Sequence, residues 1–305
     1  MSEMPIKTIA PWFGNKRTLS PLIVQEMGEH RCYWEPFVGG ISVIMVKPPC
    51  AMETINDLHG DIVNLARVVQ DEKLGPFLYR RLRRAWMCEQ LHREAAERWK
   101  QRGLKSVDDL DVERAYDYFL CAWLGRNGVA GTQSYNQGFC VRFTANGGHA
   151  AKRFCSAVDS IPAWSRRMRN VTILNRDAFA LLDRIEDESR TAIYLDPPYV
   201  KKGAKYSYDF ATADHERLAK SVRRFRLARV VISYYDNHPL VRELYEGWTL
   251  VSCPTVAALA QANRRSVVER RPTAEVLLIN GPSKTDQAAE VIGRSPSGLF
   301  AGAKP

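Results

Sequence analysis

The chain has 305 residues, 45% of them hydrophobic and 26% charged, which suits a globular protein of one large domain with an insertion, or of two domains. Its net charge of +10 favours a polyanionic partner or an acidic membrane surface, and no stretch approaches the 18 apolar residues of a membrane span, Phe37 to Val46 being the nearest. Seven scattered cysteines without a C-x-x-C pair and six unclustered histidines indicate neither a disulfide framework nor a zinc site. With no signal-peptide core at the amino terminus, they predict a cytoplasmic protein without a metal.

In chain order, Pro11-Trp12-Phe13-Gly14-Asn15-Lys16 comes first, with Lys16 a candidate partner for a ligand carboxylate. An apolar run at Arg31–Trp34 predicts the first strand, and Glu35-Pro36-Phe37-Val38-Gly39-Gly40 follows it directly. Glycines at a strand-to-helix turn let a ligand approach the backbone closely. The second strand, Ala51–Ile55, runs into Asn56-Asp57. An acid 18 residues after Gly39 is placed to accept from a ribose diol, or to cap the helix expected over Asp61–Gln70. The turn is no phosphate cradle, because it has neither G-x-G-x-x-G nor a P-loop, and Glu35 stands where a pyrophosphate prefers positive charge. A nucleoside with a cationic or zwitterionic end fits better, and S-adenosylmethionine is such a ligand.

Strand–helix alternation fails between about 75 and 168. This stretch begins with helical patterns over Phe77–Gln101 and Val112–Trp123 and then turns Gly-rich and loop-like from Leu124 to Ala151. Residues 121–170 carry Arg126, Arg142, Lys152, Arg153, Arg166, Arg167 and Arg169 against Asp159 alone. The segment reads as an inserted domain with a phosphate-binding surface, the bland alternative being a solvated basic face. Lys152, Arg153, Arg166 and Arg167 are assigned to phosphates. Arg126, Asn127, Tyr135 and Asn136 lie in the Gly-rich loop, where Arg126 and Asn136 have the fork and amide geometries that read base edges. Alternatively, Arg126 caps a helix or pairs with Asp117.

Val171–Leu174 predicts the third strand, followed by Asp177, either an acceptor for an adenine amino group or the cap of a helix Ala178–Arg184. The fourth strand, Thr191 to Leu195, delivers Asp196-Pro197-Pro198-Tyr199 to its carboxyl end, where open α/β sheets bind ligands. The prolines lack N–H groups, so the loop offers carbonyl acceptors beside a carboxylate, with an aromatic lid. Such a pocket suits a planar ring that bears an amino group. A helix over His215–Phe225 and strands at Arg229–Tyr234, Thr249–Cys253 and Glu275–Ile279 complete seven strands. The tail from Gly281 is polar and without periodicity, and is expected to be disordered.

Trp12-Phe13-Gly14-Asn15-Lys16, Glu35-Pro36-Phe37-Val38-Gly39-Gly40, Asn56-Asp57 and Asp196-Pro197-Pro198-Tyr199, in that order around a basic insertion, resemble the Dam-type DNA adenine-N6 methyltransferases. Val231-Ile232-Ser233-Tyr234-Tyr235-Asp236 resembles that family's following strand and loop, so the likeness spans roughly residues 5–280. It implies an α/β fold: a Rossmann-like S-adenosylmethionine-dependent methyltransferase sheet of seven strands, the last antiparallel, with an inserted, mostly helical DNA-recognition domain. The implied division is 1–74 and 169–282 catalytic, 75–168 target recognition, and 283–305 tail. By position, Trp12, Lys16, Glu35, Phe37, Gly39, Asp57, Asp177 and Asp196 would face the cofactor. Asp196, Pro197, Pro198 and Tyr199 would hold a flipped adenine in double-stranded DNA. Phe179 would stand in for the aromatic that relatives place at Ala178. No membrane and no obligatory protein partner are implied. Relatives that read GATC carry an aromatic, an Asn and an Arg where this chain has Val129, Ala130 and Ser134, so the resemblance does not extend to GATC reading. Two rivals remain, a cytosine-N4 enzyme and a non-catalytic DNA-binding protein that keeps the fold. A cytosine-C5 enzyme built on Pro49-Cys50 is disfavoured, because that dipeptide precedes the second strand.

Overall fold

The computed structural model describes residues 4–103, 109–125, 138–141, 149–200, 210–236, 238–253 and 275–293. In chain order the elements are α1 (Ser20–Met27), β1 (Cys32–Glu35), α2 (Ser42–Val46), β2 (Met52–Asn56), α3 (Gly60–Gln70), α4 (Leu74–Leu82), α5 (Glu89–Arg102), α6 (Val112–Leu124) and α7 (Ala150–Met168). There follow β3 (Val171–Leu174), α8 (Ala178–Leu182), β4 (Thr191–Leu195), α9 (Thr212–Val222), β5 (Arg229–Tyr235), α10 (Pro239–Leu244), β6 (Thr249–Ser252), β7 (Glu275–Ile279) and β8 (Ala289–Val291).

One sheet holds all eight strands in the order β3-β2-β1-β4-β5-β7-β6-β8. Strands β1 to β5 pair in parallel, and β7 inserts antiparallel between β5 and β6. Strand order reverses at β1, whose neighbours are β2 on one side and β4 on the other. A crevice outside the carboxyl ends of the strands is expected at such a switch point. The central strands are continuous apolar runs because both faces are covered; every residue of β4 is buried.

Among the described residues the sheet has eight strands rather than seven. β8 pairs antiparallel with β6, but its three residues are exposed and spell no apolar run, so the sequence pattern hides it. The expected disordered tail is corrected for its first part. Ser283, Lys284 and Thr285 surround the buried Glu26 carboxylate, with Ser283 Oγ and the Lys284 N–H donating at 2.6 and 2.9 Å. Residues 294–305 lie outside the described residues.

The helices between β2 and β3 share their buried residues with the sheet side. Leu78, Phe119, Trp123 and Trp164 from α4, α6 and α7 share one buried cluster with Ile9, Val43, Tyr194 and Leu277 of the sheet side. Helices α4, α6 and α7 pack on α3 and on one another, and α5 packs on α6. Asp61 at the start of α3 accepts from Arg114 and from Trp99 Nε1 (2.9 Å), tying α5 and α6 to α3. The 19-residue α7 was not among the expected helices, because Pro162 lies inside it and proline opposes helix interiors. The sequence pattern also joins α4 and α5, which are broken apart at residues 83–88.

Candidate active site

Four strand-end loops and the amino-terminal segment enclose a cleft. Its empty volume is about 930 Å³, open mouth included. The loop after β1 supplies Pro36, Phe37 and Gly39, that after β2 Asp57, Leu58 and His59, and that after β3 Arg176 to Phe179. The loop after β4 supplies Asp196 and Pro198, while Trp12 and Phe210 close the sides.

Asn56 holds three of these segments together. Its amide donates to the Pro36 and Arg176 carbonyls at 3.0 and 2.9 Å and accepts from the Arg176 N–H at 2.9 Å. The amino-terminal segment is pinned to the β1 turn by Thr8, whose hydroxyl donates to the Gly40 carbonyl at 2.7 Å, and by the Ile9 N–H to the same oxygen. Gly39 has φ +48, and a Cβ there would meet the Trp12 ring at 2.9 Å, so glycine is required for Trp12 to lie on this turn. Asp57 accepts from the Gly39 N–H (2.8 Å) through one oxygen and from the His59 N–H (2.9 Å) through the other. Each oxygen keeps a lone pair for a diol. Burial holds the Asp57 pKa above its ordinary value, against those two hydrogen bonds. Asp177 caps α8 by accepting from the Ala180 N–H at 2.9 Å, and it also lines the cleft. Ala178 and Phe179 are both on the wall, with the Phe179 and Phe210 rings nearly parallel at 6.0 Å.

Four carboxylates, Asp57, Asp177, Asp196 and Asp214, line the cleft against Arg176 among the described residues. An acid-lined cleft with aromatic walls and a carboxylate at the second strand's end fits a nucleoside that carries a sulfonium.

Three expected site residues sit differently. Lys16 does not line the cleft. It is 4% exposed, and its ammonium donates to Asp196 Oδ2 and to the Gly14 carbonyl, both at 2.7 Å, with Glu275 Oε1 at 3.3 Å. Glu35 lies beneath the floor, 1% exposed, and accepts from the Tyr33 hydroxyl at 2.6 Å. Burial pushes its pKa up to about 8, against the Tyr33 hydrogen bond. Tyr199 is a backing rather than a lid. Its ring is 4% exposed and edge-on to Tyr235 at 4.5 Å, and its hydroxyl donates to Glu275 Oε1 at 2.6 Å. Pro197 is buried and Pro198 half-buried. The Asp196 pKa rises to about 6; burial drives it up, Lys16 opposes, and Glu275 adds to the rise.

The basic residues divide. Arg153 donates to the Trp123 carbonyl (3.4 Å), and Trp123 donates through Nε1 to the Ile9 carbonyl (2.9 Å), so the first turn of α7 with exposed Lys152 stands beside the β1 turn. Arg167 is corrected. It pairs with both Glu53 oxygens, at 2.7 and 2.8 Å, at the amino end of β2, and so belongs to the scaffold on the edge opposite the cleft. Arg166, its neighbour, is exposed near that same edge. Asp117 is buried and held by Arg98 and Arg102, at 2.8 and 2.7 Å. Arg126, Asn127, Tyr135 and Asn136 lie outside the described residues. Cys50 lies before β2, on that opposite edge, where it lines a different pocket. Sequence reasoning missed Glu275, whose only signal was an acid opening an apolar strand, and His59 and Arg176, which adjoin motif residues. No helix among the described residues is long and apolar enough to cross a membrane.

No curated protein matches the chain. The family model for D12 class N6 adenine-specific DNA methyltransferases matches residues 12–260, which takes in the amino-terminal segment, all four cleft loops and the insertion. The chain therefore belongs to the D12 class N6 adenine-specific DNA methyltransferases, which carry a methyl group from S-adenosylmethionine to adenine N6.

Proposed function

We propose that this enzyme acts on an adenine turned out of double-stranded DNA, and that Asp196 with the Pro197 carbonyl holds the amino group during transfer. The observation that carries this reading is the placement of Asp196 at the switch-point cleft, reached both by the cofactor walls and by the Lys16 ammonium. Adenine N6 is a poor nucleophile, because its lone pair is delocalised into the ring. Two acceptors on its two N–H bonds draw them out of the ring plane and localise the lone pair. S-adenosylmethionine, when bound, supplies an electrophilic methyl group on a sulfonium. The protein supplies position and electrostatics. Asp57 would accept from the ribose, Asp177 from the cofactor's adenine, and Phe37 and Phe179 would flank that ring. Lys16 fixes the orientation of Asp196 instead of reaching the ligand. A base inside a duplex cannot reach this depth, so it must leave the stack.

The duplex would lie over the first turn of α7 and the stem of the Gly-rich stretch, where Gly125 bridges Phe139. Trp86, 81% exposed beside exposed Arg83 and Arg84, precedes α5, and His92 on α5 packs on Phe139 at 6.1 Å. Cations interleaved with an aromatic suit phosphates and an unstacked base. The enzyme would work where DNA lies open to it, in the cytoplasm and on the nucleoid. Incubation with labelled S-adenosylmethionine and duplex DNA, followed by nucleoside analysis, tests the reading. N6-methyladenine is expected, with duplex preferred over single strands; methylcytosine alone would overturn it.

A further inference from the structure

We propose that Glu275 is a positioning residue for methyl transfer: from the antiparallel strand β7 it holds Tyr199 and Lys16, and through them keeps the Asp196 carboxylate in one orientation. The inference rests on the assignment of Asp196 made above. Glu275 lies beyond the residues that the family model matches, and it does not line the cleft among the described residues.

The topology brings it there. β7 slots antiparallel beside β5, with Glu275 in register with Tyr235, so the first residue of β7 meets the carboxyl end of a parallel strand. The Glu275 carboxylate accepts from the Tyr199 hydroxyl at 2.6 Å and stands 3.3 Å from the Lys16 ammonium. That ammonium donates to Asp196 Oδ2 at 2.7 Å and lies 5.0 Å from the centre of the Tyr199 ring. One cation is thus shared by two carboxylates, and one tyrosine is fixed at both ring and hydroxyl. An exposed ion pair would contribute little, but Lys16 is 4% exposed and the two acids are 21% and 23% exposed, so solvent screens them weakly.

The sharing has a chemical consequence. Glu275 draws on the charge that would otherwise stabilise ionised Asp196, and it repels that carboxylate directly. Among the described residues, the other titratable groups facing Asp196 are Glu35 from β1, Tyr194 from β4, Tyr199 itself, and Tyr234 and Tyr235 from β5, with Asp57, Asp177, Asp214 and Arg176 on the walls of the same cleft. Burial holds all four tyrosines neutral, and Glu35, at about 8, carries its proton at neutral pH. Among the described residues, Lys16, which bonds Asp196, and Glu275, which shares that ammonium, are the charges that act most directly on the carboxylate.

Two substitutions in the full chain separate holding from charge. Glu275→Gln keeps an oxygen for Tyr199 and Lys16 but removes the charge. The acid limb of its kcat/KM profile should move down by on the order of one pH unit. Its plateau should stay within about tenfold of the parent, because the hydrogen bonds survive in neutral form. Glu275→Ala frees Tyr199 and Lys16 and should lower kcat by roughly a hundredfold, the scale of a small misplacement near the reacting atoms. Cofactor affinity should be unchanged in both. An unmoved acid limb in Glu275→Gln would overturn the proposal, and that variant alone decides if Glu275→Ala does not fold. Asp196→Asn is measured alongside. If it keeps parental activity, the failure belongs to the Asp196 assignment and not to Glu275.

Discussion

In the proposed mechanism Asp196 is the one carboxylate that must be ionised to accept from the amino group. Its pKa of about 6, raised by burial against Lys16, means that kcat/KM should fall as pH drops through about 6 in the free enzyme. Asp196→Asn keeps the shape but donates where an acceptor is needed. A loss on the order of 4 kcal/mol or more in transition-state stabilisation is expected, read as kcat/KM, with the melting temperature little changed. Activity within tenfold of the parent would remove Asp196 from the mechanism. Glu35 makes a different prediction. Its folded pKa of about 8 lies above the ordinary 4.5, so the folded state binds the extra proton between those values. The stability it contributes is full below the ordinary value and is lost as pH rises through 8. Glu35→Gln should flatten the melting temperature against pH across that window; an unaltered slope would show that Glu35 titrates normally.

Elements far apart in the chain are locked by single buried acids. Glu26 on α1 is fully buried and accepts from Ser283, from the Lys284 N–H and from Arg229 (3.2 Å). Burial pushes its pKa up, yet the bonds from Ser283, Thr285 and Lys284, with the Arg229 charge, outweigh that and leave it lowered. Its stabilisation is therefore present at neutral pH and lost as pH falls below the ordinary carboxylate value. Truncation after Gly281 strips those donors and the β8 strand. It should cost about 5 kcal/mol, three hydrogen bonds to a charged group, seen as a lower denaturant midpoint. A midpoint equal to the parent's would mean the segment is dispensable. The same logic explains why the tail looked disordered: its polar residues are satisfied by a partner some 257 positions away, not by neighbours.

The whole molecule presents two edges of one sheet, and its cations serve different ends on each. Lys152 and Arg153 stand near the β1 turn on the cleft side, whereas Arg167 is bound to Glu53 at the other edge. Removing Lys152 should weaken binding to every DNA sequence alike and lower the salt slope by about one, with folding intact. Arg167→Ala should leave that slope unchanged and instead destabilise the fold by roughly 3 kcal/mol, because it leaves a buried carboxylate short of a partner. Equal salt slopes for the two variants would erase the distinction.

The cleft's loops were legible in the sequence because each is local chemistry at the end of an apolar run. Gly39, Asp57, Asp177 and Asp196 follow β1 to β4 by one to four positions, and a parallel sheet brings such ends to one edge. Residue type, strand periodicity and order sufficed for the family and for the cofactor class. What only the tertiary structure decided are partnerships that no spacing encodes. Lys16 meets Asp196 from 180 positions away, Arg167 meets Glu53 from 114, and Tyr199 meets Glu275 from 76. A buried charge takes the counter-charge that folding delivers, and which one arrives depends on strand insertion and helix packing. The antiparallel strand β7 thereby carried an unremarked acid up against Tyr199 and Lys16, behind Asp196.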